Sequence, residues 1–257
     1  MTAVGPMDLI VALLLVVCRV GAFLLIAPPF ASRSIPNRIR VMAAVAIALP
    51  VFGRVADDVP ELTSIWPLVT AVLFQILCGL TLGFIVLLTF SAIQAAGEMI
   101  DLFSMFAMAS MLDPFSNTNS SIFGRIQYLI GTTLLFTSGG HLVMLRGLLT
   151  TFEVVPAGVP DFGGIARIVS QDLGRMVLAA FEIAGPVLAC LFLADLALGL
   201  VSRAVPSLNV FQLSFPVKTL LTVSLAAIAV ALLPVAVNGL LDSVMQRFQP
   251  ALQMLGG

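Results

Sequence analysis

The stretch Leu196-Ala-Leu-Gly-Leu-Val-Ser-Arg-Ala-Val-Pro-Ser-Leu-Asn-Val-Phe-Gln-Leu-Ser-Phe-Pro-Val-Lys218 lies between two long apolar runs, and it decides how the whole chain is interpreted. It interrupts the apolar pattern with charged, amide and proline side chains, which are Arg203, Pro206, Asn209, Pro216 and Lys218. Irregular backbone is tolerated at membrane depth only where protein or a water-filled cavity covers it. The stretch is therefore either a loop outside a membrane or a re-entrant element that protein buries.

The composition indicates a membrane protein or a subunit buried in a large apolar assembly. Of the 257 residues, 60% are hydrophobic and only 10% are charged, whereas a typical soluble domain is about 25% charged. The formal net charge of −1 provides no basic surface of the kind that binds nucleic acid. We therefore expect a membrane environment and no nucleic-acid partner.

Six apolar runs organise the chain, and all are expected to form helices, because the strands of a membrane barrel would alternate apolar and polar residues. A span needs about 20 residues, so one run is too short and another is far longer than one span. The runs are Met7–Ile26, Val41–Phe52, Ile65–Ile100, Arg125–Leu145, Met176–Val201 and Lys218–Leu241.

Breaks and connections follow from the residues between and within these runs. Helix breaks are expected at Gly139-Gly140, Gly185-Pro186 and Pro234, and a connection rich in Gly and Pro at Arg146–Arg175. Broken helices are typical of a transporter core, or of a subunit that its neighbours complete. The positive-inside rule places Ala31–Arg40 and the loop with Arg203 and Lys218 in the cytoplasm.

A polar stripe marks the end of the longest run. Its members recur at i, i+3, i+7 and i+10, which places them on one face of a helix; they are Ser91, Gln94, Glu98 and Asp101. Carboxylates at the end of an apolar helix indicate a functional site in a membrane protein. The alternative is that the helix leaves the bilayer near Gly97 and the acids meet water.

Methionines cluster directly after this stripe. Four of them fall within thirteen residues, interleaved with phenylalanines: Met99, Met105, Met108 and Met111. Methionine is flexible and polarizable, so such a surface could form a deformable seal. Ordinary core filling is the alternative, although the polar, turn-forming segment that follows, with Asp113-Pro114, favours the seal.

The motif Gly79-Leu-Thr-Leu-Gly83 predicts a close helix contact. Two glycines four residues apart let another backbone approach closely. We expect Gly79 and Gly83 to pack against another helix, which the sequence does not identify.

Three charges lie inside apolar runs: Arg19, Glu182 and Asp195. Each costs about 2.5–3.5 kcal/mol in lipid on insertion scales. We expect them to pair with one another, with backbone groups or with a partner subunit, in preference to conducting ions.

Catalysis finds little support in the sequence. His141 is the single histidine, and Cys18, Cys78 and Cys190 lie far apart in separate apolar runs. A lone histidine cannot build a zinc site, and the chain has no nucleophile elbow, phosphate loop or dinucleotide fingerprint. We expect no catalytic residue, no cofactor and no metal.

In their order along the chain, several motifs resemble the FliR/SctT family, which comprises the flagellar biosynthetic protein FliR and its counterpart in virulence type III secretion. The similarity extends over essentially the whole chain, and the sequence is closer to the flagellar branch of the family. It departs from the family where Phe103-Ser-Met-Phe-Ala-Met-Ala109 replaces the usual glycines. The motifs are Ala27-Pro-Pro29, Ile35-Pro36, Gln75-Ile-Leu-Cys-Gly-Leu-Thr-Leu-Gly83, Gln94-Ala-Ala-Gly-Glu98, Asp113-Pro114, Gly140-His141, Ala194-Asp-Leu-Ala-Leu-Gly-Leu-Val-Ser-Arg203, Pro206-Ser-Leu-Asn-Val-Phe211 and Phe215-Pro216.

The resemblance implies an all-α fold of membrane-type hairpins with broken helices, in one FliR-like domain over residues 1–257. It also implies that a FliP/FliQ/FliR-like helical assembly completes this fold. One copy of the chain would join several FliP-like and FliQ-like chains, beside an FlhB-like switch protein, in the bacterial inner membrane at the flagellar basal body. The expected function is to help form and close the channel through which unfolded export substrates pass.

The resemblance also places a pore plug on Met105–Phe123, with Met105, Phe106, Met108, Met111, Asp113, Pro114, Phe115 and Phe123 as its residues. Polar residues expected at buried or assembly positions are Arg19, Gln94, Glu98, Asp101, Glu182, Asp195, Arg203, Asn209 and Lys218. The alternative function is a small secondary transporter or proton-coupled channel that uses the intramembrane carboxylates Glu98, Asp101, Glu182 and Asp195.

Overall fold

The computed structural model describes residues 5–32, 34–56, 65–106, 121–154, 162–207, 209–210, 212–227, 230–231, 234–235 and 239. Within these residues the regular structure is helical. The helices are α1 (Pro6–Ile26), α2 (Asn37–Ala48), α3 (Phe52–Val55), α4 (Ile65–Phe103), α5 (Ile122–Thr137), α6 (Gly140–Val154) and α7 (Phe162–Ala204). A further helical segment at residues 212–227 is called the C-terminal helix below.

Three of these helices are long and apolar enough to cross a membrane: α1, α4 and the part of α7 at Val169–Ala204. Helices α5 and α6 pass the same test only as a bent pair, which is a broken span or a re-entrant loop. The chain is therefore an all-α membrane protein, as its apolar runs predict. With 39 and 43 residues, α4 and α7 are about 58 Å and about 65 Å long, roughly twice the ~30 Å hydrocarbon core of a bilayer.

The described residues group into two compact units. The described residues of the first unit lie within 5–89 and 139–173, and those of the second within 90–138 and 174–239.

In the first unit, α1 and α4 pack side by side and run in the same direction. Near their N-terminal ends, Val11 and Leu15 share a buried cluster with Ala71. Further along, a Cβ atom on Gly79 would collide with the Arg19 carbonyl and lie 2.9 Å from the Ala22 Cβ atom. Gly83, one turn later, faces the backbone of Phe23, whose carbonyl would be 3.1 Å from an added Cβ atom. Helix α1 is thus the partner of Gly79 and Gly83, which the sequence did not identify.

The parallel arrangement explains the apolar run that is too short for a span. Because the start of α4 lies beside the start of α1, the intervening chain must return along the length of α1. Helices α2 and α3 both pack on α1, and Ala44 of α2 lies 3.9 Å from the position of a Cβ atom on Gly21. The twelve residues of α2 span about 18 Å, so α2 makes only part of this return.

In the second unit, the end of α4 forms an antiparallel pair with α5. Asp101 lies opposite Phe123, Gly97 opposite Gly124 and Ile93 opposite Gly131. A second antiparallel pair is formed by α7 and the C-terminal helix. The two pairs share one apolar cluster, with buried Ala96, Ile100, Ala184, Val187 and Leu191 and half-buried Leu221 and Leu225 packed against them.

The break expected at Gly139-Gly140 is confirmed, and the one expected at Gly185-Pro186 is wrong. Helix α5 ends before Gly139, which takes a left-handed conformation with a φ of 74° that glycine adopts without steric cost. Helix α7 instead runs unbroken through Pro186. A proline in a helix interior costs about 3 kcal/mol, and the burial of Ala184 and Val187 on either side of it offsets that cost.

The connection expected at Arg146–Arg175 is also wrong, because α6 continues to Val154 and α7 begins at Phe162. Met144, Leu148 and Phe152 are buried on α6 at a spacing of four residues. Leu148 and Phe152 lie inside the predicted connection, where the glycines and prolines of the segment outweighed this helical spacing.

The stretch from Leu196 to Lys218 is mostly helical, so the expected loop or re-entrant element is much shorter than predicted. Helix α7 continues to Ala204. The next helix begins where the Asn209 side chain accepts the Gln212 N–H (3.3 Å) and the Asn209 carbonyl accepts the Leu213 N–H (3.2 Å). Asparagine is a favoured N-cap, which accounts for the early restart. Lys218, where the last apolar run was expected to begin, therefore lies inside a helix that starts before it.

The contact between α1 and α4 predicts a sensitivity to added volume at Gly79. The variant Gly79→Ala places a methyl group against the backbone of α1, and overpacking of this kind costs about 1–3 kcal/mol. We expect less of this variant than of the wild type to stay soluble in a detergent extract after heating. The control is Gly174→Ala, a helical position with no atom within 4 Å of the new Cβ atom. Equal heat resistance of the two variants would contradict the close packing of α1 on α4.

Candidate functional site

Three of the last four carbonyl groups of α4 are capped by the residues that follow the helix. The Ser104 N–H donates to the carbonyl of Ile100 (2.9 Å), and the Ser104 hydroxyl donates to that of Asp101 (3.2 Å). The Met105 N–H donates to the carbonyl of Leu102 (3.4 Å), and Met105 has a left-handed φ of 68°. A helix leaves its last four carbonyls without intrahelical partners, so these bonds stabilise the point at which α4 ends.

The fourth carbonyl, on Phe103, accepts a hydrogen bond from the ammonium group of Lys218 (3.2 Å). The Lys218 Nζ atom also lies 2.6 Å from Oδ1 and 2.8 Å from Oδ2 of Asp195. A cation at the C-terminal end of a helix is favoured by the helix dipole as well as by the free carbonyls. Lys218 thus joins the end of α4 to α7 and the C-terminal helix.

Asp101 joins the same end of α4 to the beginning of α5. Its Oδ2 atom accepts hydrogen bonds from the Ser121 hydroxyl and from the Phe123 N–H (3.0 Å). The Ser121 oxygen in turn accepts the Gly124 N–H (2.8 Å) and caps α5. Asp101 is only 4% exposed, and a carboxylate that faces the free N–H groups of a helix N-terminus is stabilised there.

This arrangement requires α4 and α5 to approach very closely. A Cβ atom on Gly97 would collide with the backbone of Phe123 and Gly124. A Cβ atom on Gly124 would lie 3.1 Å from the Gln94 carbonyl. The glycines therefore let the Asp101 carboxylate reach the backbone of α5 directly.

Phe106 packs edge-to-face on Phe123, with ring centroids 5.5 Å apart. The two ends of the expected plug segment are thus held together by an aromatic contact as well as by Asp101. We call this group the α4–α5 base: Asp101, Phe103, Phe106, Ser121 and Phe123. The other expected plug residues, Met108, Met111, Asp113, Pro114 and Phe115, lie outside the described residues.

The polar stripe divides into a buried end and an exposed part. Gln94 and Glu98 are exposed and hydrogen-bonded to each other, with Gln94 Nε2 2.9 Å from Glu98 Oε1. Ser91 is half-buried, and Asp101 is buried. Only Asp101 belongs to the α4–α5 base, so the stripe does not form one convergent site.

Arg19 is fully buried in the first unit. Its Nε donates to Gln75 Oε1 (2.6 Å), and its Nη1 donates to the carbonyl and the hydroxyl of Thr151 (3.0 Å each). The guanidinium carbon lies 4.2 Å from the ring centroid of Phe152, a cation–π geometry. Arg19 thereby joins α1 to α4 and α6.

The remaining predicted polar positions lie on exposed surface. Glu182 on α7, Arg203 in its last turn and Asn209 after it are exposed. Asp195 is 43% exposed at its side chain, although Lys218 pairs with it.

Sequence reasoning did not find the partners of these charges. Ser121 carries a recognisable signal, since serine before an apolar run is a common N-cap. Gln75 and Thr151, which bind Arg19, carry none, because they lie 56 and 132 residues away from it in sequence. Long-range pairing of this kind depends on tertiary packing.

The fold and these bonds define an all-α membrane protein whose apolar helices are joined at a few buried polar contacts. A family model described as "Bacterial export proteins, family 1" matches residues 10–244. The chain belongs to this family of bacterial export proteins.

Individual relatives cover most of the chain. It is 30% identical over 253 residues to the flagellar biosynthetic protein FliR of Bacillus subtilis, covering 97% of both chains. It is 33% identical over 220 residues to FliR of Escherichia coli, covering 84% of this chain and 82% of the relative. It is 30% identical over 178 residues to the Yop proteins translocation protein T of Yersinia pestis, covering 68% of each. The resemblance in the sequence motifs is thus confirmed.

The α4–α5 base predicts different roles for the two carboxylates of the stripe. Asp101→Ala leaves the Ser121 hydroxyl and the Phe123 N–H without their acceptor, which costs about 1–3 kcal/mol in a buried site. We expect faster amide exchange at the start of α5 and lower heat resistance of the extracted protein. Glu98→Ala, one turn earlier on an exposed face, should change both by much less. Equal effects of the two variants would contradict the capping role of Asp101.

Proposed function

We propose that this chain is a non-catalytic subunit of a bacterial type III protein export gate in the inner membrane, and that it works at the flagellar basal body. One copy assembles as a single FliR-like domain, residues 1–257, with several FliP-like and FliQ-like chains beside an FlhB-like switch protein. The channel so formed passes unfolded export substrates. The names of the relatives, which concern flagellar biosynthesis and translocation of Yop proteins, support this proposal.

The observation that carries the proposal is the exposure of α7. In its most apolar 18-residue window only 22% of residues are buried, against 50% for α1 and 61% for α4. Exposed Glu182 lies on this helix beside Phe181, which is 53% exposed. A carboxylate facing lipid costs about 2.5–3.5 kcal/mol, so neighbouring protein is the better cover for this face.

Helix length supports the same conclusion. Helix α4, with 39 residues, is about 58 Å long, and the 36-residue apolar part of α7 is about 54 Å long. Both exceed what a bilayer covers, so other subunits are the better cover for the remaining apolar length. A chain completed by partners satisfies both requirements.

The carboxylates do not favour the alternative of a secondary transporter. Three of the four have separate neighbours: Glu98 binds Gln94, Asp101 caps α5, and Asp195 pairs with Lys218. The fourth, Glu182, is exposed on α7. A proton or ion pathway would use groups that converge on one cavity.

Within the gate, Met105–Phe123 acts as the plug that closes the channel at rest. The α4–α5 base supports this role, because it ties the two ends of the segment to packed helices. A seal made of many weak Met and Phe contacts is tight when packed and is displaced without unfolding the helices.

The test is the ion conductance of the reconstituted complex. Deletion of residues 108–119 should leave assembly intact and let small ions leak through the resting complex. A second variant replaces the same residues by an equally long Gly/Ser linker, and it should leak as well, because the linker lacks the apolar side chains. Complexes with either variant that are as tight as the wild type would overturn the plug.

A further inference from the structure

Lys218 is the only lysine of the chain, and it is 7% exposed. A buried ammonium group is costly unless its hydrogen bonds are satisfied. Its contacts to both oxygens of Asp195 and to the Phe103 carbonyl meet this requirement. The pair therefore has a defined geometry, set by three acceptors.

An exposed ion pair elsewhere shows the contrast. Arg54 and Glu153 lie 3.1 Å apart, but their side chains are 75% and 59% exposed. Exposed pairs contribute little to stability, because water screens the two charges. Lys218 differs because it is buried and because it also donates to a helix terminus.

The Lys218–Asp195 pair is important because it binds the C-terminal end of α4. Phe103 is the last residue of α4, and Asp101 in the same turn holds the start of α5. The end of α4 and the start of α5 are thus held to each other by Asp101. Lys218 reaches this turn from 115 residues away, so it connects the pair formed by α7 and the C-terminal helix to the α4–α5 base.

We propose that Lys218 and Asp195 are positioning residues for gate closure: they fix the end of α4, and through Asp101 the start of α5, in the resting geometry. This inference rests on the proposed function, since closure is the activity that it concerns. A displacement of the pair formed by α7 and the C-terminal helix would then loosen the α4–α5 base.

The experiment uses the complete complex and two readouts. Amide exchange of peptides that cover residues 100–106 and 121–128 reports the α4–α5 base directly, and ion conductance reports closure. Lys218→Met removes the ammonium group that caps α4. Lys218→Arg keeps a cation that can donate to the Asp195 carboxylate and to the Phe103 carbonyl. Glu153→Gln, which breaks the exposed pair, is the matched control.

We expect Lys218→Met to raise both the exchange rate at the end of α4 and the resting conductance about tenfold, as loss of a hydrogen bond to a charged group predicts for a two-state opening. Asp195→Asn should act in the same direction. Lys218→Arg should restore most of the wild-type behaviour, and Glu153→Gln should change neither readout. The yield of assembled complex should stay the same in all variants.

Two results would overturn the inference. Unchanged amide exchange in Lys218→Met would mean that Lys218 does not position the end of α4. Faster exchange without added leak, in a complex where deletion of residues 108–119 does leak, would mean that positioning does not contribute to closure. If the deletion itself does not leak, the proposed plug fails, and the inference about closure fails with it.

Discussion

The hydrogen bonds of Asp101 to the first residues of α5 are the interaction on which the geometry of the candidate site depends. They are formed by a buried carboxylate in a chain with few charged residues, and they fix the distance between two helices at the point where the expected plug begins and ends. Their strength comes from their surroundings, because a hydrogen bond inside an apolar environment is electrostatically stronger than one in water. They also depend on Gly97 and Gly124, since a side chain at either position would hold α4 and α5 apart.

Buried charged side chains also join helices at two other places in the described part of the chain. Arg19 joins three helices of the first unit through Gln75, Thr151 and the ring of Phe152. Lys218 joins the end of α4 to α7 and the C-terminal helix. Apolar packing between helices is weakly directional in a membrane, because lipid tails are as apolar as leucine. A few buried polar bonds therefore specify which helices meet and in what register.

Much of the helical architecture is predictable from the sequence, and the pairing of helices is not. The apolar runs predict the long helices, and Gly139 predicts the break between α5 and α6. The continuity of α7 through Pro186 depends on the burial of Ala184 and Val187 in a tertiary cluster. The extension of α6 depends on the burial of Leu148 and Phe152, in a segment whose glycines and prolines predict a connection. Gly79 and Gly83 predict a close contact, but only the folded chain identifies α1 as the partner. The polar stripe identifies Asp101 in the sequence. Its role as acceptor for Ser121 and Phe123 depends on the packing of α5 against α4.

We propose that export-gate partners complete this chain and that it does not act alone. Native mass spectrometry of the detergent-extracted particle, after co-expression with FliP-like and FliQ-like chains, is the test of this proposal. We expect one large particle that contains a single copy of this 27.1 kDa chain together with several copies of each partner. A folded, monodisperse monomer that purifies apart from those chains would contradict it.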